Sequence, residues 1–162
     1  MPSRRNVQNT PIGVQIRELH AALLDIVSVI NRPQRDEVMI RKAGIALDRA
    51  LFPLLVGIER FGPIGVVDLA DRAGRDYTTV SRQISKLESL GLVERRAGDR
   101  DRRIREAVVT KKGKAMTDAI DAARERIGAS IFQKWKASDV SDLVRLMRKF
   151  ADDIRDKPEK AE

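Results

Sequence analysis

The chain contains no cysteine and a single histidine, His20. The first absence excludes a disulfide framework, a zinc–thiolate site, a thiol nucleophile and a cysteine redox switch. With one histidine, a transition-metal site would have to rely on carboxylates, so no metal and no cofactor is expected. No apolar stretch approaches the roughly 18–20 residues of a membrane span. The longest uncharged apolar run, residues 51–58, is interrupted by Pro53. The N-terminal segment MPSRRNVQNTPIGV has two arginines but no apolar run of signal-peptide type behind them. The expected location is therefore the cytoplasm, with no membrane contact. There is no P-loop and no glycine-rich dinucleotide fingerprint. A Ser-His-Asp triad would need His20, which the spacing places on the flank of an amphipathic helix. No catalytic residue is assigned, and an enzyme is not expected.

What is present is charge. Of 162 residues, 32 are Lys or Arg and 24 are Asp or Glu, a net +8, while 42% are hydrophobic, too many for a disordered chain. Between Ala70 and Lys114 there are 13 basic and 7 acidic residues, so +6 of the +8 lies in that stretch. Such a local excess points first to nucleic acid as the partner.

Helical spacing of apolar residues at 12, 16, 19, 23, 26, 27 and 30 gives a first helix, ended by Asn31-Arg32-Pro33. Residues before it form a polar, basic arm. A short helix over 36–43 stops at Gly44. Asp48 is placed to cap a helix reaching Arg60, with a kink or late start at Pro53. After a break at 61–65 with room for a very short strand, a helix over 66–73 ends at Gly74. Arg75-Asp76-Tyr77 makes a tight turn, and Asp76 caps a helix over 77–90 stopped by Gly91. Residues 92–96 and 104–110 read as a hairpin around a loop of Gly, Asp and Arg. Thr110 caps a long helix, and Ser138 or Asp139 starts a last one with a heptad seam at 140, 143, 147, 150 and 154.

Short helix, turn, helix and hairpin are a winged helix-turn-helix, so the fold class is mainly α (α+β). The second helix of that unit enters the major groove. Val80, Ile84, Leu87 and Gly91 share one stripe and face the core, leaving Thr78, Arg82, Ser85 and Ser89 opposite, with Thr79 and Lys86 on a flank. Arg82 suits guanine N7/O6, and the hydroxyls suit bases or phosphates. Arg100, Arg102 and Arg103 at the hairpin tip suit the neighbouring minor groove. Arg95 and Arg96 are assigned to phosphates. An acid two residues before an arginine can hold its guanidinium in a bidentate pair.

The stretch TTVSRQISKLESLGLVERRAGDRDRRIREAVVTKKG resembles the winged helix of the multiple-antibiotic-resistance regulator (MarR) family. The marks are Thr79-Val80-Ser81-Arg82, Leu87…Gly91-Leu92-Val93…Arg95, the wing Asp101-Arg102-Arg103, and Val109-Thr110-x-x-Gly113. The resemblance covers about residues 47–114, with Val109 in place of the more usual Leu. It implies a homodimer with interlocked N- and C-terminal helices, a pseudo-palindromic operator in double-stranded DNA, and a small-molecule effector pocket. It also implies Arg103 as the minor-groove residue with Asp101 orienting it, and repression as the sign of regulation. The division expected is an arm and dimerisation helix at 1–46, the DNA-binding domain at 47–111, and dimerisation helices at 112–162.

His20 is either a half-buried packing or dimer-contact residue or a polar group of the effector pocket. Phe52 and Phe61 are either core or pocket wall. A winged domain of roughly 65 residues cannot cover two long amphipathic helices, which favours burial in a dimer. The alternatives are a winged-helix DNA-binding protein without an effector and a protein-interaction module.

Overall fold

Proline and glycine punctuate the chain where its elements begin and end. The computed structural model describes residues 11–156. The basic arm expected at the N-terminus thus lies outside the described residues up to Thr10, and Pro11 already belongs to α1 (Pro11–Ile30). Arg32 takes the extended conformation demanded before proline, and Pro33 opens α2 (Pro33–Ala43). The helix starts before the expected Asp36 because proline's fixed φ and missing N–H suit the first helical position. Gly44 closes it in the left-handed conformation, φ +67°.

The helix expected from Asp48 starts late, as α3 (Phe52–Phe61), with Pro53 in its first turn. Asp48 does not cap it. Its carboxylate instead accepts from the Ala50 N–H at 2.7 Å, in a separate turn. A proline is tolerated where helical N–H groups have no partner, so the helix begins at the proline rather than around it.

Ile64 and Gly65 form β1, followed by α4 (Val66–Ala73), which Gly74 ends with φ +60°. Then come α5 (Tyr77–Ser89), β2 (Val93–Ala97), β3 (Arg105–Val109), α6 (Lys111–Phe132) and α7 (Ala137–Asp156). The sheet order is β1-β3-β2, all antiparallel, with Val93 opposite Val109, Ala97 opposite Arg105 and Ile64 opposite Ala107.

The chain divides into two compact units, one through Asp121 and one from Ala122. In the first, the core joins Leu54, Leu55 and Ile58 of α3 to Leu69 of α4, Val80, Ile84 and Leu87 of α5, and Leu92, Val93 and Ala107 of the hairpin. Each such Val, Leu or Ile side chain contributes about 1.5–3 kcal/mol relative to exposure. In contrast, α1 leaves Ile12, Ile16, Leu24 and Ile30 more than half exposed. In the second unit, Phe132 and Trp135 meet edge to face at 5.2 Å. There α7 leaves Leu143, Val144, Leu146, Met147 and Ile154 exposed.

Candidate nucleic-acid interface

The turn between α4 and α5 aims the candidate reading helix. Gly74 stops α4, and the Asp76 carboxylate accepts from the Thr79 N–H at 2.8 Å, which satisfies one orphan donor of α5. Hydrogen bonds from the Thr79 side chain, first, and from its main chain hold the Asp76 carboxyl below its ordinary value. Val80, Ile84 and Leu87 are fully buried, which fixes the opposite face outward. Thr78, Thr79, Arg82, Ser85 and Lys86 are all exposed, as the spacing predicts. No carboxylate stands at the centre of that face. Beside it, Arg82 and Lys86 line a surface cavity of about 220 Å³ with Asp48, Ala50, Leu51 and Gln83.

The wing is held by short-range hydrogen bonds. The Gly98 N–H donates to the Ile104 carbonyl at 2.8 Å, and the Ile104 N–H to the Asp101 carbonyl at 3.0 Å. Asp101 Oδ1 accepts from Arg103 Nε and Oδ2 from Arg103 Nη2, both at 3.1 Å. Oδ1 also accepts the Arg103 main-chain N–H at 3.0 Å. The Arg103 side chain is nevertheless 90% exposed, so it is oriented without being covered. The same contacts lower the Asp101 pKa, the side-chain hydrogen bonds more than the backbone one. Arg100 and Arg102 are exposed on the same tip.

Arg95 departs from expectation. Its guanidinium turns back onto α5 instead of outward to a phosphate. Nη2 donates to the Ser81 carbonyl at 3.2 Å and to Ser85 Oγ at 2.8 Å, and the side chain is only 21% exposed. Ser85 is thereby engaged as well, since its hydroxyl donates to the Ser81 carbonyl at 3.0 Å. Strand alternation is the cause. Val93 points into the core, so Arg95, two residues on, shares its side of β2 and meets α5.

The sequence reading gives Arg75 only a place in a tight turn, and Gly113 enters it only as a mark of the resemblance, without a role. Arg75 Nη1 donates to the Ala50 carbonyl at 3.1 Å and to Gln83 Oε1 at 3.0 Å. Gly113 lets α6 approach the wing, because a Cβ there would strike the Leu92 carbonyl oxygen. Thr110 joins the same corner: its hydroxyl donates to the Gly91 carbonyl at 2.6 Å and accepts the Gly113 N–H at 3.1 Å. The signal for this corner was the Thr-x-x-Gly spacing itself. For Arg75 the signal was its place directly after the helix-stopping Gly74.

The three candidate pocket residues are not brought together. Phe52 is buried with 6% exposure, and His20 is exposed on α1. Phe61 lines a cavity of about 280 Å³ between α3 and α4, with the Arg72 guanidinium 4.4 Å from its ring centre. Neither His20 nor Phe52 lines that cavity. Among the described residues no cluster of three or more His, Asp or Glu side chains could hold a metal ion.

The helix-turn-helix, its carboxylate-free outer face and the arginine-tipped hairpin define a winged-helix DNA-binding protein. Residues 47–104 match the model of the MarR family. The chain is 28% identical over 103 residues, 64% of its length and 72% of the relative's, to the uncharacterized HTH-type transcriptional regulator YxaD of Bacillus subtilis (strain 168). The solved structure of MarR superposes with a TM-score of 0.63 at 26% identity, covering 83% of this chain and 98% of that one. A MarR family protein from Bacillus stearothermophilus has the same fold, with a TM-score of 0.70 at 18% identity over 87% of this chain and 96% of the other. The winged-helix segment of the chain is thus similar to the MarR family of transcriptional regulators, and its fold is the one seen in their solved structures.

Proposed function

We propose that the protein is a dimeric, sequence-specific repressor of transcription that a small ligand releases from its operator. The observation that carries the reading is the outer face of α5, where Thr78, Thr79, Arg82 and Lys86 stand exposed with no acid among them. Beside it, Arg103 is oriented by Asp101 for the minor groove, with Arg100 and Arg102 on the same tip. Residues 47–111 supply the DNA contacts, while 1–46 and 112–162 supply the dimer contacts. The exposed apolar positions of α1 and α7 support a dimer, because faces of this size are covered in most soluble proteins. Repression and ligand release rest on the family resemblance. No helix among the described residues is long and apolar enough to cross a membrane, which accords with work on cytoplasmic DNA.

Two symmetry-related α5 helices read half-sites about 10 base pairs apart, centre to centre. The test is fluorescence anisotropy with duplexes drawn from the DNA upstream of the gene. Binding to a pseudo-palindrome, with affinity falling steeply as salt rises, is the expected result. Salt-independent binding, or none to any upstream fragment, overturns the reading.

A further inference from the structure

Apolar packing alone leaves a helix free to roll. The stripe of Val80, Ile84 and Leu87 holds α5 by contacts that have little direction. Hydrogen bonds do have direction, and α5 receives them from outside on both flanks. At 100° per residue, Gln83 lies on one side of the buried stripe and Ser81 and Ser85 on the other. Arg75, from the turn before α5, donates to Gln83 Oε1 at 3.0 Å. Arg95, from β2 behind it, donates to the Ser81 carbonyl at 3.2 Å and to Ser85 Oγ at 2.8 Å. Arg82 lies between these two flanks, on the side away from the core.

We infer that Arg75 and Arg95 form a two-sided clamp that fixes the rotation of α5 about its own axis, and so decides which side chains face the bases. They are positioning residues. Each is tied to main chain as well. Arg75 also donates to the Ala50 carbonyl at 3.1 Å, and the Arg95 carbonyl accepts from Arg105 Nη2 at 3.0 Å. The clamp therefore anchors α5 to the segment before α3 on one side and to the wing strands on the other. A roll of one residue would exchange Arg82 for a neighbour, so the hydrogen bonds protect the choice of base and not the attraction to phosphate. The Arg95 Nε–H completes the arrangement: it is buried and lies 3.6 Å from Glu88 Oε2, too long for a hydrogen bond but within range of its charge.

The inference rests on α5 being the DNA-reading helix, and lysine substitutions separate the two claims. Lysine keeps the positive charge but lacks the planar fork that reaches two acceptors. Arg95→Lys and Arg75→Lys are each expected to weaken operator binding about tenfold, the scale of one lost charged hydrogen bond. Binding to unrelated duplex, and the slope of affinity against salt, stay as in the parent protein. Ser85→Ala removes one acceptor at an exposed position and is expected to act in the same direction. Combined with Arg95→Lys it should add little, because both break the same contact. A lysine variant with parental operator affinity overturns the clamp. So does an Arg95→Ala variant that loses specific and unrelated DNA equally with a shallower salt slope, since that marks a phosphate contact. Amide hydrogen exchange of α5 in the free protein decides the clamp without DNA. Faster exchange in the lysine variants supports it, and unchanged exchange overturns it, even if the parent protein proves to bind no operator.

Discussion

Asp101 grips Arg103 along the whole edge of its guanidinium, Nε on Oδ1 and Nη2 on Oδ2, each at 3.1 Å. The same carboxylate takes the Arg103 main-chain N–H, so side chain and backbone are oriented together. An acid thus stands in a loop proposed to approach phosphate, and charge and geometry make opposite claims about it. The Coulomb repulsion is screened over about 8–10 Å at ordinary salt. A preoriented bidentate pair is not screened in the same way, since it fixes direction.

Asp101→Ala is therefore expected to weaken operator binding, and Arg103→Ala to weaken it at least as much. The double variant should lose less than the sum, because the two residues act as a unit. Affinities of the four proteins at one salt concentration check this. Tighter binding by Asp101→Ala, or clean additivity, would make Asp101 an ordinary loop acid.

The pH dependence has a definite sign. Hydrogen bonds from Arg103 hold the Asp101 pKa below its ordinary 3.8, and those from Thr79 do the same for Asp76. A depressed carboxylate contributes above its unfolded pKa and loses that contribution only as pH falls through the lower folded value. Neither contact should change between pH 7 and pH 5, and both should fail below the ordinary carboxylate range. Carboxyl titration by NMR would show it. A midpoint for either group above 3.8 would contradict the geometry.

Gly113→Ala is expected to destabilise the protein by about 1–3 kcal/mol or more, as overpacking does. The added methyl would strike the Leu92 carbonyl oxygen, which is backbone and already accepts the Thr110 N–H at 3.0 Å. Thermal unfolding measures the loss. Gly128→Ala is the control, because a Cβ there meets nothing within 4 Å.

Leu143 lies on the exposed apolar stripe of α7. If that stripe is buried in a dimer, Leu143→Asp places an unpaired charge in the interface at a cost of several kcal/mol. Sedimentation should show monomers, and operator binding should fall with the dimer. An intact dimer would move the interface elsewhere.

The sequence was most readable where one residue acts alone. Gly44, Gly74 and Gly91 end helices in the conformation that glycine favours, and Asp76 caps α5 through its own side chain. The stripe of Val80, Ile84 and Leu87 follows from periodicity, and the wing pair from a two-residue spacing. Reading failed where a residue chooses among partners distant in sequence. Arg95 looked like a phosphate contact because its charge is visible in the sequence, whereas its acceptors on α5, Ser81 and Ser85, are 14 and 10 residues away. Arg75 hides its role similarly, with acceptors on Ala50 and Gln83. At α3 two signals conflict, a good cap at Asp48 and a proline at Pro53: the late start at the proline is what the structure shows, and the Asp48 cap is not. Helical patterning leaves Phe52 open between core and pocket wall, and its burial in α3 places it in the core.

The central claim is that α5 reads bases through Arg82, and one comparison tests it most directly. Arg82→Ala is measured against operator duplexes carrying each base at every half-site position, and against unrelated duplex, at one salt concentration. The account predicts a loss of about 1–3 kcal/mol on the operator, relaxed preference at one base position per half-site, and far less loss on unrelated DNA. Equal loss on operator and unrelated duplex, with every base preference intact, would contradict it.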